Sequence, residues 1–314
     1  MANATDKLEL GVLLRQGEMR DGSNRAIGWR ELRDMSQAAE GVGIDTLWVA
    51  DHLIFRNAGS VVMDEGETRG VWEAFTLLSA IAEATTTSTI GPFVTCNSFR
   101  NPALLAKIAD TLDDVSGGRL LLGLGAGWHE PEYDAFGYPF DHLASRFDEA
   151  LQIILPLLKG EEITFSGEYY SVKDCVLRPR GPRPGGPPIR IGAKQPRMLR
   201  LVARHADAYN TVWHATPAEL EAPFARLDAA CREVGRDPSE IRKTAGSNVI
   251  VPGTGDVSGP PNALKGSVEE VAQAIYAFKT EAGVTHMTFI LDPWTLDAIE
   301  KFGPVVDAIR ALDA

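Results

Sequence analysis

The chain has 314 residues, of which 44% are hydrophobic and 24% are charged, and this composition predicts a single globular domain over residues 1–314. Its formal net charge of −12 argues against a nucleic-acid partner, which would require a basic face. No apolar run approaches the roughly 18 residues of a membrane span. Three isolated cysteines and a polar N-terminus favour a reducing compartment, so we expect a cytoplasmic protein.

Short apolar runs alternate with longer amphipathic runs along the first half of the chain. Strands are predicted at residues 8–14, 46–50, 88–95 and 119–124. Helices are predicted at residues 29–40, 72–84, 102–115 and 143–158. These four successive β-α steps indicate a parallel sheet.

Residues 159–187 interrupt the alternation. Residues 161–172 are typical of a β-hairpin with Ser166-Gly167 at its turn, and a segment rich in proline and glycine follows at 178–188. Because alternating strand and helix patterns continue beyond it, the segment is interpreted as an insertion within one domain.

Four further units follow the insertion. Their strands are predicted at residues 189–191, 208–212, 244–251 and 286–291, and their helices at 196–205, 217–234, 268–282 and 296–312. Eight units predict an α/β fold, a (β/α)8 TIM barrel with an insertion after the fourth βα unit. The alternative, a doubly wound sheet, usually places a GxGxxG motif after the first strand, whereas the glycine cluster here follows the fourth strand and lacks the third glycine.

Active sites of such barrels lie at the C-terminal ends of the strands, and two of these ends are rich in glycine. The fourth strand runs into GLGAGW, residues 123–128, where amides can approach a ligand and Trp128 can form an apolar wall. A tight turn that needs glycine only for its dihedral angles explains this segment equally well. The turn at 192–195 precedes a helix opening with Pro196, so its amides and the helix dipole favour a phosphate. Lys194 either adds charge there or is an ordinary solvated lysine.

Four segments of the chain carry a pattern shared with a known family. They are DTLWVADHL (45–53), VWEAFTLLSAIAEAT (71–85), IGPFVTCNSFRNPALLAKIADTLDDVSGGRLLLGLGAGWHEPEY (90–133) and PPIRIGAKQPRMLRLVARHADAYN (187–210). Together they resemble the bacterial luciferase-like flavin and deazaflavin oxidoreductases, in particular the branch that depends on coenzyme F420. The resemblance implies a barrel that holds a deazaflavin (F420) or flavin (FMN) ring deep in its mouth, with the phosphate tail near the fifth strand.

The resemblance also implies roles for individual residues. Asp51 and His52 would lie beside the ring, and the Thr95 hydroxyl would contact it. A non-prolyl cis peptide is implied within residues 91–94, and we expect it at Pro92-Phe93. The residues implied to bind the cofactor are Asp51, His52, Pro92, Phe93, Thr95, Gly125, Ala126, Gly127, Trp128, Gly192, Ala193, Lys194 and Gln195.

His52 is the candidate acid or base, because histidine titrates near neutral pH, and Asp51 is expected to orient it. The alternative is a packed histidine held by Asp51. Other candidate proton sources are Glu130, the loop at 15–25 and water. Trp128 stands where sugar-oxidising members of the branch carry a glutamate, so sugar-phosphate chemistry is not expected.

Three functions remain open at this point. The first is an F420-dependent oxidoreductase that passes a hydride between the deazaflavin and a small organic substrate, and we expect it to be a homodimer. The second is a two-component FMN-dependent monooxygenase, and the third is a catalytically silent flavin-binding protein. A metal-dependent hydrolase is not expected, because neither HxH nor HExxH is present. Cys96 is interpreted as a small buried residue rather than a nucleophile.

Overall fold

A computed structural model describes residues 7–18, 25–58, 63–255 and 259–314; residues 19–24 of the candidate loop at 15–25 lie outside them. The strands in the described residues are β1 (Glu9–Leu13), β2 (Thr46–Val49), β3 (Ile54–Arg56), β4 (Thr68–Gly70), β5 (Thr89–Pro92), β6 (Thr95–Cys96), β7 (Leu122–Gly125), β8 (Ile163–Ser166), β9 (Ser171–Cys175), β10 (Ile189–Gly192), β11 (Ala208–Val212), β12 (Arg242–Ile250) and β13 (His286–Asp292). The α-helices are α1 (Trp29–Gly41), α2 (Ala74–Ala84), α3 (Pro102–Val115), α4 (Glu130–Phe136), α5 (Leu143–Lys159), α6 (Pro196–His205), α7 (Glu221–Val234), α8 (Val268–Ala282) and α9 (Leu296–Leu312). Within the described residues, no helix combines the length and apolar character needed to cross a membrane.

Nine of the strands form one parallel sheet in the order β5-β2-β1-β13-β12-β11-β10-β7-β6. β5 and β6 are two parts of the third barrel strand, because β5 pairs with β2 whereas β6 pairs with β7. A further bridge joins Ile90 of β5 to Leu120, just before β7. The third strand therefore closes the ring, and the predicted (β/α)8 barrel is confirmed.

The apolar pattern of the sequence explains why these elements form. Every residue of β2 and of β7 is buried, as expected for parallel strands covered on both faces. The helices place one apolar face on the strands, and the buried side chains of strands and helices join in one large cluster. Local signals fix several helix ends: Asn101 caps α3, whereas Ser267 and Glu270 form a capping box on α8.

The interruption of the third strand includes a cis peptide bond at Phe93-Val94. It lies within the predicted range 91–94, but the expected position at Pro92-Phe93 is wrong. The Phe93 amide still donates to the Val49 carbonyl at 2.7 Å, so pairing with β2 continues through Pro92 and the chain leaves the sheet only after Phe93. A second non-prolyl cis bond, at Val212-Trp213, was not predicted.

Two antiparallel hairpins leave the barrel. The hairpin β8-β9 lies between α5 and β10, as the sequence predicts. Its turn is longer than the expected Ser166-Gly167 pair, because the Gly167 amide bonds the Tyr170 carbonyl and Glu149 of α5 accepts from three amides of the turn. The hairpin β3-β4, between β2 and α2, was interpreted from the sequence as a long loop.

Candidate active site

Three predicted strand ends converge around Val94, the residue after the cis bond. The sheet register pairs Thr95 with Leu124 and Cys96 with Gly125. A Cβ atom built on Gly125 would lie 2.7 Å from Val94 Cγ2, and one built on Gly192 would lie 3.7 Å from the same atom. The structure therefore brings the ends of the third, fourth and fifth barrel strands to one mouth.

Thr95 is the predicted hydroxyl at this mouth. Its side chain is fully buried, and its Oγ1 atom has no hydrogen-bond partner among the described residues. A buried hydroxyl without a partner is costly, because it has lost water and gained nothing in exchange. This position therefore fits a bound ligand that accepts from or donates to the hydroxyl.

His52 is held by a carboxylate that the sequence analysis did not identify. Its Nδ1 atom lies 2.9 Å from Oε1 of Glu132, and the Leu53 amide donates to Oε2 of the same residue at 2.9 Å. The side chain of Glu132 is 2% exposed, whereas that of His52 is 15% exposed. His52 is thus partly exposed, while its Nδ1 atom is bonded to Glu132.

The expectation that Asp51 orients His52 is wrong. Oδ2 of Asp51 accepts from the Cys96 amide at 2.8 Å, and both carboxylate oxygens accept from the guanidinium of Arg100 at 2.7 and 2.9 Å. Arg100 also pairs with Glu73, which caps α2 by accepting from the Thr76 amide. Asp51 therefore joins the end of β2 to β6 and holds the backbone there.

Aromatic rings surround His52 on the side of the β3-β4 hairpin. The His52 ring lies 4.4 Å from the ring of Phe55 and 5.5 Å from that of Trp128, measured between centroids. Trp128 is 48% exposed, so its ring is accessible beside His52. His129 is buried, which lowers its pKa, and its Nε2 accepts from the Arg56 amide at 3.1 Å. His129 thereby fastens the hairpin to the start of α4.

Gly127 is explained by packing rather than by ligand access. Its φ is +89°, and a Cβ atom built on it would lie 1.7 Å from Oη of Tyr133 and 2.8 Å from Sγ of Cys96. That hydroxyl donates to the Ala126 carbonyl at 3.2 Å and lies 2.9 Å from Sγ of Cys96. Burial raises the pKa of Cys96 to about 12, so the thiol is neutral, and the interpretation of Cys96 as a buried packing residue is confirmed.

The turn at 192–195 leads directly into α6. Tyr209 fixes it by donating to the Ala193 carbonyl at 3.0 Å. The side chain of Gln195 makes no capping hydrogen bond within the described residues, although Gln195 occupies the N-cap position. Lys194 and Gln195 are exposed. The first amides of α6 are therefore not capped by that side chain, which fits an anionic group at the helix N-terminus.

No group of three or more His, Cys, Asp or Glu side chains in the described ranges is arranged to hold a metal ion. Residues 8–256 match the family model described as Luciferase-like monooxygenase. The chain belongs to this family. The resemblance seen in the sequence is thereby confirmed.

The chain is also similar to curated relatives and to solved structures. The chain is 31% identical over 221 residues to a 5,10-methylenetetrahydromethanopterin reductase of Archaeoglobus fulgidus, covering 70% of this chain and 60% of that relative. It superposes on an F420-dependent secondary alcohol dehydrogenase in complex with an F420-acetone adduct, with a TM-score of 0.77 and 22% identity over 97% of this chain and 99% of the other. A riboflavin lyase with modified FMN gives a TM-score of 0.78 at 17% identity, covering 98% and 92%. Both solved structures share the barrel.

Proposed function

We propose that this luciferase-like protein is an F420-dependent oxidoreductase that transfers a hydride between the deazaflavin and a small organic substrate. The observation that carries the proposal is the placement of two side chains at the C-terminal ends of neighbouring barrel strands: a buried Thr95 hydroxyl that has no hydrogen-bond partner among the described residues, and a His52 ring held through Nδ1. Bound F420 would supply a carbon that gives or takes the hydride. The chain would supply the accompanying proton exchange.

Different residues would bind the cofactor, exchange the proton and exclude water. The Thr95 hydroxyl would bond the ring, and the turn at 192–195 with the start of α6 would bind the phosphate. His52 would exchange a proton with the substrate through Nε2. Trp128 would exclude water on one side of the substrate, because its ring lies edge-on to His52 at an interplanar angle of 80°.

A two-component FMN-dependent monooxygenase is the second candidate. It is favoured by the solved riboflavin lyase with modified FMN, which shares this barrel. Thr95 and the anion-binding turn suit FMN as well as F420, because both cofactors combine a ring with a phosphate.

That the protein is a homodimer and lies in the cytoplasm are predictions from the sequence.

The function is tested by titrating the purified protein with F420 and with FMN. Reduced F420 is then supplied, without oxygen, with a panel of small ketones and aldehydes. Consumption of reduced F420 would support the proposal, whereas FMN-dependent consumption of oxygen would support the monooxygenase. Tight binding without turnover would indicate the silent flavin-binding protein.

His52→Asn tests the proton exchange. We expect it to bind F420 within about threefold of the parent and to lose roughly a hundredfold or more in turnover, the usual scale for a general acid or base. His142→Asn is the matched control, since His142 is exposed and has a φ of 50°, a conformation that asparagine tolerates. Parental turnover by His52→Asn would make His52 only a wall of the pocket.

A further inference from the structure

We infer that Glu132 is the positioning residue of His52, and that it fixes the ring so that Nε2 is the atom facing the substrate. This inference deepens the proposed function and rests on it. Glu132 belongs to the first turn of α4, and it lies 80 positions from His52 in the sequence.

The hydrogen bonds of Glu132 determine which nitrogen of His52 carries the proton. An ionised carboxylate can only accept, so Nδ1, at 2.9 Å from Oε1, must donate. In the neutral ring, Nε2 is then the atom without a proton. The second oxygen accepts from the Leu53 amide, and one buried carboxylate therefore fixes both the ring and the backbone that follows it.

The other charged groups around His52 have partners of their own. Both oxygens of Asp51 are bonded to Arg100, and Asp51 also accepts from the Cys96 amide. His129, whose ring lies 6.4 Å from that of His52, has a lowered pKa because it is buried, so it stays neutral near pH 7. Glu132 is thus the carboxylate bonded to His52, and it would stabilise the imidazolium that forms when His52 accepts a proton.

The proton and electrons balance in a simple step. When an alcohol is oxidised, its O–H proton would pass to Nε2 of His52, and its C–H hydride would pass to oxidised F420, which is thereby reduced. The carbon–oxygen bond becomes a carbonyl. Carbonyl reduction is the reverse, with His52 returning the proton. Glu132 does not touch the substrate and acts only through His52.

Nuclear magnetic resonance of protein with ¹⁵N-labelled histidines tests the inference without cofactor. In the parent, we expect His52 to be predominantly the tautomer protonated on Nδ1. In Glu132→Gln, an NH2 group replaces one of the two carboxylate oxygens. When the remaining oxygen accepts from the Leu53 amide, this NH2 group faces Nδ1 and can only donate to it, so the tautomer protonated on Nε2 should become populated. Asp134→Asn removes an exposed carboxylate from the same helix and should leave the His52 signals unchanged.

Kinetics with F420 provide the second readout. Glu132→Gln should lower turnover by about 10- to 100-fold, the size of effect seen when the hydrogen-bond partner that orients a metal-bound histidine is removed, while F420 affinity stays within about threefold. Loss of the negative charge disfavours the imidazolium, so in the direction of alcohol oxidation, where His52 must be neutral to accept the proton, that limb of the pH–rate profile should move to lower pH. The double variant with His52→Asn should turn over no more slowly than His52→Asn alone.

An Nε2-protonated tautomer in the parent would overturn the inference, as would parental tautomer and turnover in Glu132→Gln. If Glu132→Gln does not fold, the spectrum of the parent still decides which nitrogen carries the proton. If the protein neither binds nor turns over F420, the proposed function fails while the tautomer result stands, so the two failures are distinguishable.

Discussion

At the scale of single residues, glycines that look alike in the sequence serve different purposes. Gly127 has a positive φ and faces Oη of Tyr133 at a distance that no Cβ could share. A Cβ on Gly192 would meet only Val94, at 3.7 and 3.8 Å, which is ordinary contact. Gly127 therefore maintains the packing beneath the mouth, whereas the position of Gly192 leaves the mouth open.

The two glycines should consequently respond in opposite ways to substitution. Gly127→Ala should lower the free energy of unfolding by about 1–3 kcal/mol, the usual cost of overpacking, as measured by urea denaturation. Gly192→Val should retain the parental stability but bind F420 more than tenfold more weakly, a loss of about 1.4 kcal/mol or more, because its methyl groups must enter the mouth. Normal F420 binding by a folded Gly192→Val would place the phosphate elsewhere.

Sequence reasoning identified single residues where a strand end marked them. His52 follows one strand that the apolar pattern predicts and Thr95 ends another, so their place at the mouth could be deduced. Glu132 could not be deduced, because its local signal is that of an ordinary acidic residue at the start of a helix. Its pairing with His52 arises only in the fold, where α4 lies beside the residues that follow β2.

At the scale of elements, periodicity predicted the barrel strands and most helices because each is a continuous apolar or amphipathic run. The hairpin β3-β4 was missed, since its strands have three residues each and include no buried position. The network of Asp51, Arg100 and Glu73 was missed as well. It connects β2, β6 and α2, and no local pattern in the sequence encodes contacts between separate elements.

This network makes Arg100 important for stability. Arg100→Met leaves the carboxylate of Asp51, which is 1% exposed, without its cation, and removal of one partner from a buried pair costs about 3–5 kcal/mol. Urea denaturation should show a loss of that size. Arg33→Met breaks an ion pair whose side chains are 44% and 46% exposed and should cost less than about 1 kcal/mol.

A second variant separates loss of the charge pair from loss of packing. Arg100→Met combined with Asp51→Asn should recover part of the stability, because asparagine can still accept from the Cys96 amide and leaves no buried charge. If Arg100→Met is as stable as the parent, the network does not hold these elements together.

At the scale of the whole molecule, the two ends of the barrel differ in function: one holds the candidate site and the other carries structural contacts. The candidate site lies at the C-terminal ends of the strands, whereas the opposite end carries contacts that fasten helices to loops. There, Glu40 of α1 accepts from the amides of Thr86, Thr87 and Ser88 at 2.9, 2.7 and 2.9 Å. These residues directly precede β5, so Glu40 ties α1 to the start of the third strand.

Glu40 should make the stability of the barrel sensitive to acid without affecting the site. Burial alone would raise its pKa, but the bonds from the three amides outweigh burial and lower the pKa from 4.5 to about 2. Because the folded-state pKa is depressed, the stabilisation is fully present above pH 4.5 and is lost as the pH falls toward 2. Near pH 7, Glu40→Gln should therefore lower the free energy of unfolding, by about 1–3 kcal/mol after allowance for partial exposure.

The difference between parent and Glu40→Gln should narrow when urea denaturation is repeated at progressively lower pH. Glu281→Gln, which alters an exposed carboxylate on α8, should match the parent at every pH. F420 affinity at pH 7 should be the same in all three proteins, because Glu40 lies at the end of the barrel opposite the mouth. A difference in stability that stays constant with pH would show that Glu40 contributes through packing rather than through its charge, whereas a loss of F420 affinity would show that the two ends of the barrel are coupled.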